Sequence, residues 1–195
     1  MLNKLLKDYN IVLGSNSPRR KQYLTDLGFS FTVRASDIDE SYPEELVREQ
    51  ITDYIAKAKA EAIELQHDNE IIITSDTTVW NNHISLGKPE NRDEAYTMLK
   101  SLCGHEHEVI SSVCLKSKDK VSVFHCITKV SFSDLSDEAL YFYIDQYKPY
   151  DKAGAYGIQE WIGLVGIDRI DGSYTNIVGL PTKELVEELL KFIKK

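Results

Sequence analysis

With 195 residues, 42% of them hydrophobic and 28% charged, the chain has the make-up of a soluble globular protein with room for one proper core. A net charge of −8 argues against nonspecific nucleic-acid binding. No apolar run approaches the ~20 residues that cross a bilayer, so no membrane partner is expected.

The first clear element is an apolar run, Ile11-Val12-Leu13, which reads as a short strand. Ser15-Asn16 then makes a tight turn. Ser17 is a good N-cap, Pro18 a good first helical residue, and Gly28 a good helix end. Arg19, Arg20 and Lys21 crowd the first turn, where the helix dipole disfavours cations. The Ser/Asn turn, the Ser17 cap and the cationic helix start together describe a phosphate cradle. The alternative is a solvated basic face. If the cradle is right, removing Arg20 leaves stability unchanged or slightly raised.

Phe29 to Val33 alternates like a strand, and an acidic loop carrying Asp37, Asp39 and Glu40 comes next. Glu44 to about Gln66 has the pattern of one long helix, with Leu46, Val47, Ile51, Tyr54 and Ile55 on its apolar side. Lys57 and Lys59 cannot share a face of it, so one leans toward the apolar side. Ile71 to Thr74 reads as a buried strand ending at Ser75-Asp76-Thr77-Thr78, with a turn after it at Asn81-Asn82-His83. Carboxylates at strand ends face the crevice where open α/β sheets bind ligands, which makes Asp76 a candidate; a turn or cap role is the alternative. Carboxylates gathered round phosphate need a divalent cation, and Mg²⁺ suits one or two of them plus phosphate oxygens. Lys88, held extended by Pro89, could neutralise phosphate.

Arg92 to Leu102 reads as a helix closed near Gly104. Two β-rich stretches, Glu108 to Lys116 and Lys120 to Ser131, are expected to form a hairpin. Asp134 or Ser136 caps a helix to about Gln146. Next comes the glycine-rich Asp151-Lys152-Ala153-Gly154-Ala155-Tyr156-Gly157 loop, with Gln159 able to donate and accept at a base edge. Leu164 to Ile170 reads as a strand, and Thr182 to Lys194 as an amphipathic helix after Pro181. The order is α/β with an inserted hairpin, so a mixed sheet is expected. Cys103, His105 and His107 lie two apart but match no zinc spacing and lack a fourth ligand. There is no P-loop and no His-Glu-x-x-His. Cys103, Cys114 and Cys126 form no Cys-x-x-Cys pair, and Met1 to Asp8 lacks the apolar core of a signal peptide; reduced thiols and a cytoplasmic location are expected.

Three blocks resemble the Maf family of nucleoside triphosphate pyrophosphatases. They are Ser15-Asn16-Ser17-Pro18-Arg19-Arg20; Ser75-Asp76-Thr77-Thr78 with Leu86-Gly87-Lys88-Pro89 and His107-x-Val109; and Asp151 to Gln159 with Gly172-Ser173-Tyr174 and Val178-Gly179-Leu180-Pro181. The resemblance spans nearly the whole chain and implies a single Maf-like domain, 1–195. It implies an α/β fold similar to inosine triphosphate pyrophosphatase, with a mixed sheet flanked by helices and two lobes about a cleft. It implies a cytoplasmic homodimer that depends on a divalent cation (Mg²⁺, Mn²⁺ or Co²⁺) and splits a nucleoside triphosphate into monophosphate and pyrophosphate. Asp76 matches the family's proton acceptor. Ser15, Arg20, Lys59 and Lys88 match phosphate-holding positions, and Glu40, with Asp76, matches the metal position. Arg19, Thr77 and Gln159 match positions that separate subfamilies and resemble the one acting on dTTP and UTP. Glu160-Trp161 stands where many relatives have Gly after the glutamine, and Val165 to Asp168 departs from a commoner Phe-Val-Glu pattern. A regulatory protein of septum formation and a purine-selective pyrophosphatase are the alternatives.

Overall fold

The computed structural model describes residues 5–194. Its elements in chain order are β1 (Asn10–Leu13), α1 (Pro18–Asp26), β2 (Phe31–Val33), α2 (Glu49–Glu61), β3 (Glu70–Asn81), β4 (Ile84–Leu86) and α3 (Arg92–Leu102). Then come β5 (Glu106–Lys116), β6 (Val121–Phe132), α4 (Asp137–Tyr147), a 3₁₀ turn (Ala153–Ala155), α5 (Trp161–Val165), β7 (Ile167–Asp171), α6 (Tyr174–Val178) and α7 (Thr182–Ile193). The seven strands form one mixed sheet in the order β2-β1-β3-β5-β6-β7, with β4 on β3.

The chain divides into two compact units. The first comprises the described part of Met1–Asp76, Ser111–Cys126 and the described part of Gly179–Lys195; the second comprises Thr77–Ile110 and Ile127–Val178. In the first, β1 pairs in parallel with β2 and with β3. Strand alternation sorts its apolar residues onto two faces. Ile11, Leu13, Ile71, Ile73, Val113 and Leu115 pack with Leu24 of α1 and with Leu185, Leu189 and Phe192 of α7. Val12 and Ile72 pack with Ile63, and Cys114 packs with Ala56 and Ala60 of α2. Both faces are covered, so the strands are near-continuously apolar, as parallel strands tend to be.

Helix α1 starts and stops where its cap signals lie. The Ser17 hydroxyl accepts from Arg20 N, Pro18 opens the helix, and Gly28 takes φ +76° just past its end. Helix α2 is shorter than the pattern from Glu44 suggests. Arg48 stands at φ +53°, a left-handed conformation that cannot lie inside a right-handed helix, so α2 begins at Glu49. Val47 and Tyr54, which the pattern places on the apolar face, are exposed. At the other end the Lys116 ammonium donates to the carbonyls of Ala60 (3.0 Å) and Ile63 (2.8 Å), capping the helix C-terminus.

In the second unit β3 does not end at Ser75 but continues to Asn81. The strand is extended because it turns back through Asn82 (φ +48°) and His83 (φ +64°) to pair with β4. Two successive positive φ values are the signature of a type I′ hairpin turn. Helix α3 matches its expected span; the Asn91 side chain caps it through Asp93 N and Glu94 N. Arg92 clamps Asp145 of α4 with two bonds (2.8 and 2.9 Å), and Tyr96 stacks on Tyr141. Ser136, not Asp134, caps α4. Residues 164–170 are not one strand. Trp161–Val165 is a helical turn, and β7 begins only at Ile167, antiparallel to β6. Gly163 permits the turn, since a Cβ there would lie 1.8 Å from Ile158 O. Helix α6 is too short to leave a periodic signal in the sequence.

Cys103, His105 and His107 do not converge. The His105 Nδ1 bonds Cys103 O (2.7 Å), and the buried His107 Nε2 bonds the Tyr156 hydroxyl (2.8 Å) beside the Phe132 ring. Among the described residues, no three His, Cys, Asp or Glu side chains are grouped to hold a metal ion. No helix there is long and apolar enough to cross a membrane.

Burial pushes the His107 imidazole down to about 4. The unfolded chain therefore takes up a proton below about pH 6.5, while the folded chain resists until about pH 4. Stability is untouched by this group above pH ~6.5 and falls as pH drops through that window. Wild type should lose about 2 kcal/mol more than His107→Gln between pH 7 and pH 5, read from urea midpoints at the two pH values. Parallel losses would show that His107 is protonated in the fold.

Candidate active site

The register Leu13↔Ile73 brings the ends of β1 and the parallel part of β3 to the same level. The segments after the two strands therefore emerge side by side, at the carboxyl end where parallel sheets hold ligands. Gly14 makes this approach possible: a Cβ there would lie 2.5 Å from Thr74 Cγ2 and 2.7 Å from Ile63 Cδ1. Its N–H donates to Ile73 O at 2.8 Å. Beyond it Ser15 Oγ accepts from Ser17 N (3.2 Å), which sets the turn that starts α1.

Arg20 folds back from the first turn of α1. Its Nε donates to Gly179 O (2.9 Å) and its Nη1 to Ser15 Oγ (3.4 Å). Ser75 Oγ donates to the same Gly179 carbonyl at 3.3 Å. Desolvation holds the Arg20 guanidinium below its usual range, opposed by the charges of Asp76 and Glu40 and reinforced by Arg19.

Asp76 lies within β3, three residues past the point where β1 stops pairing. Alternation sends Thr74 and Asp76 to the face that carries α2. Thr74 Oγ1 donates to Ala56 O of α2 (2.6 Å), and Lys59, three residues further along α2, places its ammonium 2.8 Å from Asp76 Oδ1. The Glu40 Oε1 lies 2.9 Å from the same Nζ. The Lys59 and Asp76 side chains are each 11% exposed and Glu40 48%, so one buried ammonium joins a buried carboxylate to an exposed one. Lys59, not Lys57, is thus the inward lysine; Lys57 pairs on the surface with Glu61. The loop spends Asp39 on its own turn, with bonds from Ser41 N and Oγ, and directs Glu40 to the cluster.

The structure therefore gathers Ser15, Arg20, Glu40, Lys59 and Asp76 in the first unit, with Ser17 serving as the helix cap. Thr77, Lys88 and Gln159 belong to the second unit. There Gly154 N donates to Gly87 O (3.0 Å), tying the segment before Lys88 to the glycine-rich loop. Gly154, at φ +65°, leaves no room for a Cβ, which would meet Val79 Cγ2 of β3 at 2.8 Å. Lys88 and Gln159 are exposed. Ser75 and the Gly179 carbonyl contribute to the site without having stood out in the sequence. Both residues lie in the motif blocks, but a main-chain carbonyl carries no side-chain signal.

Three comparisons bear on this arrangement. A family model described as Maf-like protein matches residues 10–192. The chain is 49% identical to a dTTP/UTP pyrophosphatase of Flavobacterium johnsoniae, covering 99% of this chain and 100% of that protein. It is 51% identical to proteins of the same name from Flavobacterium psychrophilum (97% and 98% covered) and Parabacteroides distasonis (96% and 98% covered). A solved structure of a HAM1 protein from Coxiella burnetii shares the fold, with a TM-score of 0.50 at 13% identity over 94% of this chain and 99% of that one.

The Arg20 contacts reverse the stability expected from the dipole alone. Removing a cation from a helix start gains ~0.3–1 kcal/mol. Losing a hydrogen bond from a charged donor to a carbonyl costs ~1.5–3 kcal/mol. Arg20→Ala should therefore lose about 1–2 kcal/mol, measured as a lower urea midpoint. An unchanged or higher midpoint would mean the Gly179 bond contributes nothing.

Proposed function

We propose that this chain, which belongs to the Maf family, hydrolyses dTTP and UTP between the α and β phosphates, releasing the monophosphate and pyrophosphate. The observation that carries the reading is the Lys59 ammonium bonded at once to Asp76 (2.8 Å) and Glu40 (2.9 Å), with Arg20 close enough to feel both carboxylates. A cationic group beside paired carboxylates is what a phosphoanhydride requires: neutralisation of its oxygens and a base for water. The names and near-complete coverage of the relatives support the same activity and the same bases.

An ammonium has three N–H donors. Two of those of Lys59 go to Asp76 and Glu40, and the third meets a phosphate oxygen. Arg20, Ser15, Ser17 and Lys88 complete the phosphate contacts. Asp76 keeps Oδ1 on Lys59 and offers Oδ2 to a water. That water attacks the α phosphorus, its proton passes to Asp76, and the bond to the bridging oxygen breaks as pyrophosphate leaves. Lys59 holds the base in place throughout, so attack needs no new ordering of the carboxylate.

Glu40 and Asp76 also suit a divalent cation (Mg²⁺, Mn²⁺ or Co²⁺). Both already reach one ammonium, and two carboxylates with phosphate oxygens and water make the set such ions prefer over an all-protein cage. When bound, the cation supplies further neutralisation and a more acidic water. Thr77 and Gln159 read the pyrimidine edge, and Arg19 pairs with phosphate or stacks on the base. The reading includes a cytoplasmic homodimer with no nucleic-acid partner.

Wild type with Mg²⁺, Mn²⁺ or Co²⁺ should release pyrophosphate from dTTP and UTP faster than from ATP, GTP or 7-methyl-GTP; preference for a purine overturns the base assignment. Asp76→Asn should lower turnover by at least ~100-fold with an unchanged circular dichroism spectrum. Near-normal turnover in that variant would remove Asp76 from the chemistry. Gln159→Ala should lower kcat/KM for dTTP and UTP by ~1–3 kcal/mol, and hydrolysis of tripolyphosphate, if that compound is cleaved, hardly at all. Equal loss on every substrate would move Gln159 out of the base pocket.

A further inference from the structure

The turn that carries Gln159 is held at both ends by one buried phenol. Glu160 N donates to Gly157 O (2.9 Å), closing a four-residue turn with Ile158 and Gln159 at its middle positions. Ile158 is buried and Gln159 exposed, so the turn anchors one side chain and presents the other. At the start of the turn, Gly157 N donates to the Tyr143 hydroxyl at 2.9 Å. At its end, the Glu160 Oε2 accepts a short bond from the same hydroxyl. Lys152 Nζ holds the other carboxylate oxygen, Oε1, at 3.0 Å. A Cβ at Gly157 would lie 2.9 Å from both Glu160 Cδ and Lys152 Cε, so a side chain there would displace the Lys152–Glu160 pair.

Tyr143 is fully buried on α4, its ring stacked on Tyr147 at 5.2 Å. A phenylalanine would fill nearly the same volume. Burying a hydroxyl is unfavourable unless it is bonded, and both bonds of this one go to the two ends of a single turn. Burial, and then the bond to Glu160, push the phenol well above its ordinary range, so it stays a donor to the carboxylate at neutral pH. The residue after the turn is fixed as well: Trp161 meets the Phe142 ring of α4 edge-on at 5.0 Å. Helix α4 therefore fixes the backbone on either side of Gln159 without touching its carboxamide through any of these bonds.

We propose that Tyr143 and Glu160 are positioning residues for base selection, holding the Gly157–Glu160 turn so that the Gln159 carboxamide meets the pyrimidine edge in one orientation. The proposal rests on the base-reading role proposed for Gln159. The bonds of Tyr143 and Glu160 go to the turn and to Lys152, and neither residue is among those assigned to the phosphates or the attacking water, so in this proposal they act on substrate binding through Gln159 and not on the bond-breaking step.

The test is a double-mutant cycle on kcat and KM for dTTP and UTP, with the melting temperature of every variant recorded. Tyr143→Phe should raise KM by ~3–10-fold, about what one hydrogen bond from a correctly held Gln159 is worth, with kcat within about twofold of wild type. In the Gln159→Ala background the same substitution should change KM no further, because the group it positions is gone. Glu160→Gln keeps an acceptor for Tyr143 but loses the charge that Lys152 holds; it should give a smaller rise in KM with the same dependence on Gln159, and it carries the test if Tyr143→Phe does not fold. Additive effects with Gln159→Ala, or a fall in kcat at unchanged KM, overturn the proposal. Wild type inert toward dTTP and UTP would instead sink the proposed activity, which separates the two failures.

Discussion

A single buried ammonium organises the first unit. A charge removed from water is costly unless it is paired, and Lys59 is paired twice, to Asp76 and to Glu40. That requirement sets much of the local architecture. Helix α2 must present Lys59 inward, which the Thr74 bond to Ala56 secures by registering the helix against β3. Strand β3 must run past the end of β1 to place Asp76, and the acidic loop must fold back far enough to deliver Glu40. In the proposed chemistry the same ammonium offers its third donor to an incoming anion, so that stability and reaction would draw on one set of contacts.

The cation at the start of α1 obeys the same logic. Arg20 at a helix N-terminus is a poor choice if only the dipole is counted. Its guanidinium is turned away from that role, bonded to a carbonyl that lies 159 residues further along the chain. Local reasoning identifies the anomaly and offers a ligand or a solvated basic face to explain it. The structure adds a tertiary bond to that account, beside the phosphate-binding role proposed for the same residue.

Elements with strong local signals are legible in the sequence. Helix α1 carries its cap, its proline and its glycine; α3 and α7 carry clean periodicity; the turn of β5 and β6 carries a polar break. The failures have identifiable causes. The helix read from Glu44 is cut short by the left-handed backbone at Arg48, a conformation that arginine's side chain does not advertise. Strand β3 reads too short because Asp76 and its threonines look like a turn when the pairing with β4 is not known. Residues 164–170 are misread because their apolar run suits a strand, while Gly163 and Gly166 admit a helical turn. For the site, the resemblance singles out Lys59 and Glu40, whereas the residue pattern alone leaves Lys57 or Lys59, and Asp39 or Glu40, open until the packing is seen.

The Gly179 carbonyl has a consequence for synthesis of the chain. It accepts from both Arg20 and Ser75, yet it belongs to the last of the three segments that build the first unit. Contacts of such long sequence separation form late, because the intervening chain must first be ordered. During synthesis Arg20 and Ser75 emerge well before the carbonyl they share. A chain made only as far as Val178 holds Arg20 and Ser75 without the carbonyl that both bond. The Arg20 guanidinium therefore gains its Gly179 bond only after Gly179 has been made and has folded back onto the first strands.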